Sequence, residues 1–139
     1  MSLYVDSSAL LKRYVDEPDS EAANRLLQSD PTLVTSRHTV VEVRRNLARL
    51  LTGRDAAAAR SRFALDLEAL ALIELDAQTC DMAASIAEST GAESTGVRTL
   101  DALHLAAAQR VGGPAVPFLT FDLRRAQAAR SLGFTVVGV

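Results

Sequence analysis

Leu3-Tyr4-Val5-Asp6-Ser7-Ser8-Ala9-Leu10-Leu11-Lys12-Arg13-Tyr14-Val15 opens on large apolar residues, breaks at a carboxylate and two hydroxyls, and resumes with helix formers. Leu3 to Asp6 reads as a short buried strand, and Ser7-Ser8 offer hydroxyl caps to a helix running through Val15. The unit recurs. Leu33-Val34-Thr35 is a second strand, and Ser36 is placed to cap a helix whose Val40, Val43, Leu47 and Leu51 form one apolar stripe, with Gly53 placed to end it in the left-handed conformation. Val116 to Phe121 is a strand with Pro117 near its start, where a missing donor is tolerated; Asp122 then begins the last helix, Gly133 stops it, and Phe134 to Val137 is a final strand.

Between these units Asp19 can cap a helix carrying Ala22, Ala23, Leu26 and Leu27, and Pro31 separates it from the second strand. Ala56 to Leu72 should be helical with Phe63, Leu67 and Leu70 inward, followed by Leu72 to Leu75 as a strand or extended link. A helix from Asp76 to about Thr90, a small polar loop from Gly91 to Gly96, and a helix from Thr99 to Gly112 complete the chain. Strands alternating with helices predict the α/β class, a three-layer α/β/α sandwich around a mainly parallel sheet.

A chain of 139 residues with 48% hydrophobic content is the size of one domain, residues 1–139. No apolar run is long enough to suggest a membrane span and no secretory signal precedes Asp6, so a cytoplasmic location is expected. Cys80, the single cysteine, excludes an internal disulfide and reads as a small buried hydrophobe on a helix. A net charge of −2 argues against a generally sticky nucleic-acid binder, so any basic patch must be local.

Four acids stand in apolar settings: Asp6 and Asp122 just beyond strands, Glu42 in Thr39-Val40-Val41-Glu42-Val43, and Asp101 at the start of a helix apolar nearly all round. Ligand chemistry in an open α/β sheet gathers beyond the carboxyl ends of its strands. Each acid has a plain alternative: Asp6 and Asp122 as helix caps, Asp101 as favoured by a helix start, Glu42 paired with Arg45 or Asn46. Within the helix that Thr99 opens, however, Asp101 has no fixed basic residue one turn away, only His104 at i+3, and an unpaired buried carboxylate is costly. Asp66 differs in having Arg62 at i−4 as a pairing partner. Oxygen ligands without Cys or spaced His suit Mg²⁺ or Mn²⁺. Brought together, four acids repel and must hold a proton or draw in a cation.

Val5-Asp6-Ser7-Ser8-Ala9-Leu10, the central Glu42, Arg98-Thr99-Leu100-Asp101-Ala102-Leu103-His104-Leu105-Ala106 and Leu119-Thr120-Phe121-Asp122 together resemble the PIN-domain ribonucleases, in particular VapC-like toxins of toxin–antitoxin pairs. The resemblance spans nearly the whole chain, in order. It implies a Mg²⁺- or Mn²⁺-dependent endoribonuclease acting on structured RNA such as transfer or ribosomal RNA, with Asp6, Glu42, Asp101 and Asp122 as catalytic metal ligands. Ser8 and Thr120 would orient the carboxylates. It also implies a homodimer silenced by a cognate antitoxin, with DNA met only through that antitoxin. Arg45 and Arg49, at i+3 and i+7 from Glu42, are candidate RNA contacts, as are Arg98, Arg124 and Arg125. On this reading Asp6→Ala or Asp101→Asn abolishes cleavage and leaves the metal-free fold as stable or more so, since each relieves like-charge repulsion.

The rivals fail on residues. A haloacid-dehalogenase phosphatase needs an aspartate where Ser8 stands, and a receiver domain needs an acidic pair and a late lysine, whereas Lys12 is the one lysine. The remaining alternative is a catalytically silent PIN-like protein- or RNA-binding module with its acids filled by a partner's arginines.

Overall fold

The computed structural model describes residues 1–29, 32–90 and 96–139. Five strands, β1 (Ser2–Val5), β2 (Thr32–Ser36), β3 (Ala71–Ile73), β4 (Phe118–Thr120) and β5 (Val136–Gly138), form one all-parallel sheet in the order β3-β2-β1-β4-β5. The helices are α1 (Ser7–Leu11), α2 (Ser20–Gln28), α3 (His38–Leu50), α4 (Gly53–Ala69), α5 (Ala77–Thr90), α6 (Thr99–Val111) and α7 (Leu123–Ser131). Parallel strands need crossovers, and helices in those crossovers cover both faces of the sheet. The three-layer α/β/α fold is the one the alternation predicts.

Alternation along the strands builds two cores. Leu3 and Val5 of β1 and Leu119 of β4 pack with Leu10, Leu27, Val43, Leu47 and Phe63 on one face. Tyr4 and Phe118 stack at 5.0 Å on the other face, with Val34, Leu105, Ala107 and Phe134 around them. Phe118 is fully buried, and its truncation to alanine would cost about 3–5 kcal/mol. Alanines 106, 107 and 108 let α6 sit close against its neighbours.

The chain winds outward from β1 to β2 and β3, then returns to place β4 on the other side of β1. This reversal leaves a crevice beyond the carboxyl ends of β1 and β4. β5 presses on β4 there: Gly138 pairs with Thr120, and a Cβ on Gly138 would lie 2.2 Å from the Thr120 carbonyl oxygen. With φ at +107°, the position is doubly restricted to glycine.

Several local expectations are corrected. α1 stops at Leu11 and residues 12–15 continue as hydrogen-bonded turns, with the buried Lys12 ammonium anchored by Glu17 and Asp19, each at 2.6 Å. The cap of α1 is the Asp6 carboxylate, which accepts the Ala9 N–H, and neither serine. Ser36 belongs to β2 and bonds the His38 ring instead of capping α3. Gly53 has its left-handed φ of +54°, but as the first residue of α4; α3 ends on an extended Leu51. Pro117 lies just before β4, and Leu100 is exposed on the outer side of α6. Cys80 is exposed on α5, not buried. Asp66 takes a hydrogen bond from Tyr14 at 2.5 Å and an Arg13 contact at 3.5 Å, while Arg62 lies over the Tyr14 ring. The expected loop from Gly91 falls, up to Thr95, outside the described residues.

Candidate active site

Asp6 is fully buried at the end of β1, and its carboxylate is held on every side. Oδ1 accepts from Ser8 Oγ at 2.7 Å and from the Ala9 N–H at 3.0 Å; Oδ2 accepts from Thr120 Oγ1 at 2.5 Å and from Arg125 Nη1 at 2.7 Å. Ser8 Oγ accepts the Phe121 N–H from the end of β4, and Thr120 Oγ1 accepts the Asp122 N–H at its own strand end. The hydroxyls thus join the ends of β1 and β4 through the Asp6 carboxylate.

Arg125, on the first turn of α7 and itself buried, is the cation among the acids. Its Nε donates to Asp101 Oδ1 at 2.7 Å, its Nη1 to Asp6 Oδ2 at 2.7 Å, and its Nη2 lies 3.8 Å from Glu42 Oε2. A planar guanidinium presents donors in a fixed fork, which lets one side chain serve three carboxylates. Burial works to lower the Arg125 pKa, but Asp6 and Asp101 outweigh it and hold the group firmly charged. Asp101 and Asp6 therefore have their partner from α7, beyond the reach of any helical-turn rule. Sequence reasoning weighed Arg125 only as an RNA contact; three side chains on distant elements meet it, and no spacing in the sequence signals that.

Glu42, on α3, turns Oε1 the other way. It lies 2.6 Å from His104 Nε2 and 3.5 Å from His38 Nε2. Burial tends to raise the Glu42 pKa, yet the His104 hydrogen bond and the Arg125 and His38 charges bring it below the usual value. Arg45 and Asn46 do not pair with this carboxylate; Asn46 bonds the Glu42 backbone oxygen. His104 is fully buried, and its Nδ1 meets the Tyr4 hydroxyl at 2.8 Å. His38 is pushed down to about 4 by burial and by the nearby His104 ring, against the pull of Glu42.

Asp122 sits at the rim. It caps α7 by accepting the Arg125 N–H at 3.0 Å, and with Asp101 it lines a cleft of about 310 Å³ that also includes Arg98, Arg124 and Arg125. Arg98 and Arg124 thus flank the acids. Arg45 does not: it lines a separate groove with Arg44 and Arg60, and Arg49 is exposed and bonded to Asn46.

The formal charges of Asp6, Glu42 and Asp101 against Arg125 leave an excess of −2, a balance that favours a divalent cation. Oxygen donors of this kind suit a hard ion. The residues fit the group.

The PIN domain family model matches residues 3–131. The chain belongs to the PIN-domain family. Ribonuclease VapC46 of Mycobacterium tuberculosis is 36% identical to it over 136 residues, covering 98% of this chain and 96% of that protein. Among solved structures, VapC20 of M. tuberculosis, a toxin that cleaves the sarcin-ricin loop, superposes with a TM-score of 0.71 at 23% identity, covering 91% of this chain and 94% of that one. VapBC2 of Rickettsia felis, bound to a fragment of its promoter DNA, gives 0.68 at 16% identity, covering 98% of this chain and 97% of the other. Both structures share the fold.

Proposed function

We propose that this PIN-domain chain is a divalent-metal-dependent endoribonuclease, the toxin of a toxin–antitoxin pair, cutting structured RNA of the transfer or ribosomal class. The observation that carries this reading is the convergence of Asp6, Glu42 and Asp101 on a single guanidinium, with Asp122 lining the same cleft. The curated relative is a ribonuclease of the VapC group and aligns along nearly the full chain, which supports the same chemistry here.

Asp6, Glu42, Asp101 and Asp122 would hold Mg²⁺ or Mn²⁺. Such an ion supplies Lewis acidity toward a phosphate and acidifies water at neutral pH. The protein's own part is positioning. Ser8, Thr120 and the Ala9 N–H fix both oxygens of Asp6, so that the carboxylate loses little freedom when an ion is added. Arg125 keeps the acids gathered, and its Nη2, the least engaged of its nitrogens, is the donor available to an RNA phosphoryl oxygen. Arg98 and Arg124 on the cleft wall supply local positive charge that a chain of net charge −2 otherwise lacks. Arg45 and Arg49 lie on the outer side of α3 and are left to solvent or to a partner.

A toxin of this kind works on cytoplasmic RNA as a homodimer and is silenced by an antitoxin that contacts DNA on its behalf. The R. felis complex on promoter DNA supports that partner class, and among the described residues no helix is long and apolar enough to cross a membrane.

Arg125 also favours a second reading. A guanidinium resident among the acids would suit a silent binding module in which it never yields. Antitoxin-free protein incubated with total RNA in Mg²⁺ or in chelator separates the two. Discrete fragments in Mg²⁺ alone support the enzyme; intact RNA in both supports the module.

A further inference from the structure

Glu42 faces two different environments. Its Oε2 looks toward Arg125 and the aspartates, while its Oε1 looks toward two imidazoles. The ligand-capable atoms of His38, Glu42 and His104 all lie within 4.8 Å of one another, and the two rings are 4.1 Å apart between centroids. His38 is 7% exposed and His104 is fully buried.

His38 Nε2 is buried and is left without a hydrogen-bond partner. Both Nδ1 atoms are already engaged from behind, His38 by Ser36 Oγ at 2.7 Å and His104 by the Tyr4 hydroxyl at 2.8 Å. That is the arrangement of metal-ligating histidines, whose outer nitrogen is held so that the inner lone pair is aimed. A hydroxyl oxygen can accept from Nδ1–H, which leaves each Nε2 free to ligate.

We propose that His38, Glu42 and His104 form a cation site for a borderline transition ion, with Zn²⁺ as its representative, separate in chemistry from the oxygen cluster of Asp6 and Asp101. Ligand bonds of about 2.0–2.1 Å in tetrahedral geometry place ligand atoms about 3.3–3.4 Å apart. The His38–Glu42 separation of 3.5 Å already meets this, and the His104–Glu42 separation of 2.6 Å has to open by roughly 0.7 Å. A neutral His104 that donates Nε2–H to Glu42 only has to move its proton to Nδ1, with Tyr4 as acceptor, so no proton need leave the site. Two nitrogens and one oxygen select such an ion over Mg²⁺, which prefers oxygen. Glu42, with one oxygen toward each group, bridges the two sites.

The test is calorimetric titration of the chelator-stripped full chain with Zn²⁺ in excess Mg²⁺, with Co²⁺ absorption as a report of tetrahedral nitrogen ligation. Zn²⁺ should bind despite the Mg²⁺, His38→Gln should weaken it at least 100-fold, and Ser36→Ala should weaken it about 10- to 100-fold. Circular dichroism checks that each variant folds; if His38→Gln does not, Ser36→Ala and the wild-type Co²⁺ spectrum decide. No Zn²⁺ binding in excess Mg²⁺, an octahedral Co²⁺ spectrum, or Zn²⁺ binding untouched by Ser36→Ala would overturn the assignment. So would Zn²⁺ binding lost in Asp101→Asn and kept in His38→Gln. None of these readouts depends on whether RNA is cut.

Discussion

Replacing Arg125 with methionine removes the one charge among the described residues that reaches Asp6, Asp101 and Glu42 together, while keeping most of the side chain's bulk. At an effective dielectric of 20, each 2.7 Å contact is worth about 6 kcal/mol of gross attraction and the 3.8 Å contact about 4 kcal/mol. Burying the guanidinium cancels most of that, and breaking a buried pair typically costs about 3–5 kcal/mol, because carboxylates are left without a counter-charge. For a chain of 139 residues this lowers the melting temperature by roughly 10 °C in chelator. Mg²⁺ should then return more stability to the variant than to the wild type, since the ion supplies what the guanidinium did; an ion at about 100 times its Kd contributes about 2.7 kcal/mol. Differential scanning fluorimetry of both proteins across a Mg²⁺ series measures this. The reasoning is refuted if Arg125→Met melts with the wild type in chelator, or if Mg²⁺ raises both by the same amount.

Asp101→Asn should abolish cleavage, and in chelator it should lower the melting temperature by several degrees: the sign expected from mutual repulsion reverses because Asp101 accepts the Arg125 Nε–H. Equal or higher stability would restore the repulsion argument. Acid should act early on the ion-free protein. His38 stays neutral in the fold down to about 4 but takes a proton near 6.5 when unfolded, so stability falls as pH drops through that window; Glu42, held below the usual glutamate range, adds a further loss as pH falls through its folded pKa. His38→Gln should flatten the upper part of a plot of melting temperature against pH. Tyr4→Phe leaves His104 Nδ1 unpartnered in a dry site and should cost about 1–3 kcal/mol by urea titration. Gly138→Ala should be destabilising and should also reduce cleavage, because its Cβ would push on the Thr120 backbone whose hydroxyl holds Asp6; unchanged activity would uncouple β5 from the site.

The architecture was legible because its signals are local. Leu3-Tyr4-Val5 and Phe118-Leu119-Thr120 are short apolar runs closed by acids, and alternation with helical stripes leaves few topologies. The placement of Asp6 and Asp101 beside one cation was legible in part, since an acid in an apolar setting demands a partner. The partner itself was not. Arg125 lies 119 residues from Asp6 and 24 from Asp101, and nothing in Leu123-Arg124-Arg125 tells which arginine turns inward. His38 was missed for a similar reason: it looks like a helix-start residue until α6 brings His104 against it. Helix ends misled at α1, where Lys12 reaches forward to Glu17 and Asp19 beyond the helix.

Because Thr120 and Arg125 both reach back to Asp6, the pocket cannot exist before β4 and α7 have joined the sheet. β1 to α6 can emerge first, but without β4 and α7 the Asp6 carboxylate has neither its hydroxyl nor its guanidinium. The order of the chain thus makes assembly of the site one of its last folding events, set by the docking of β4 and α7 against β1.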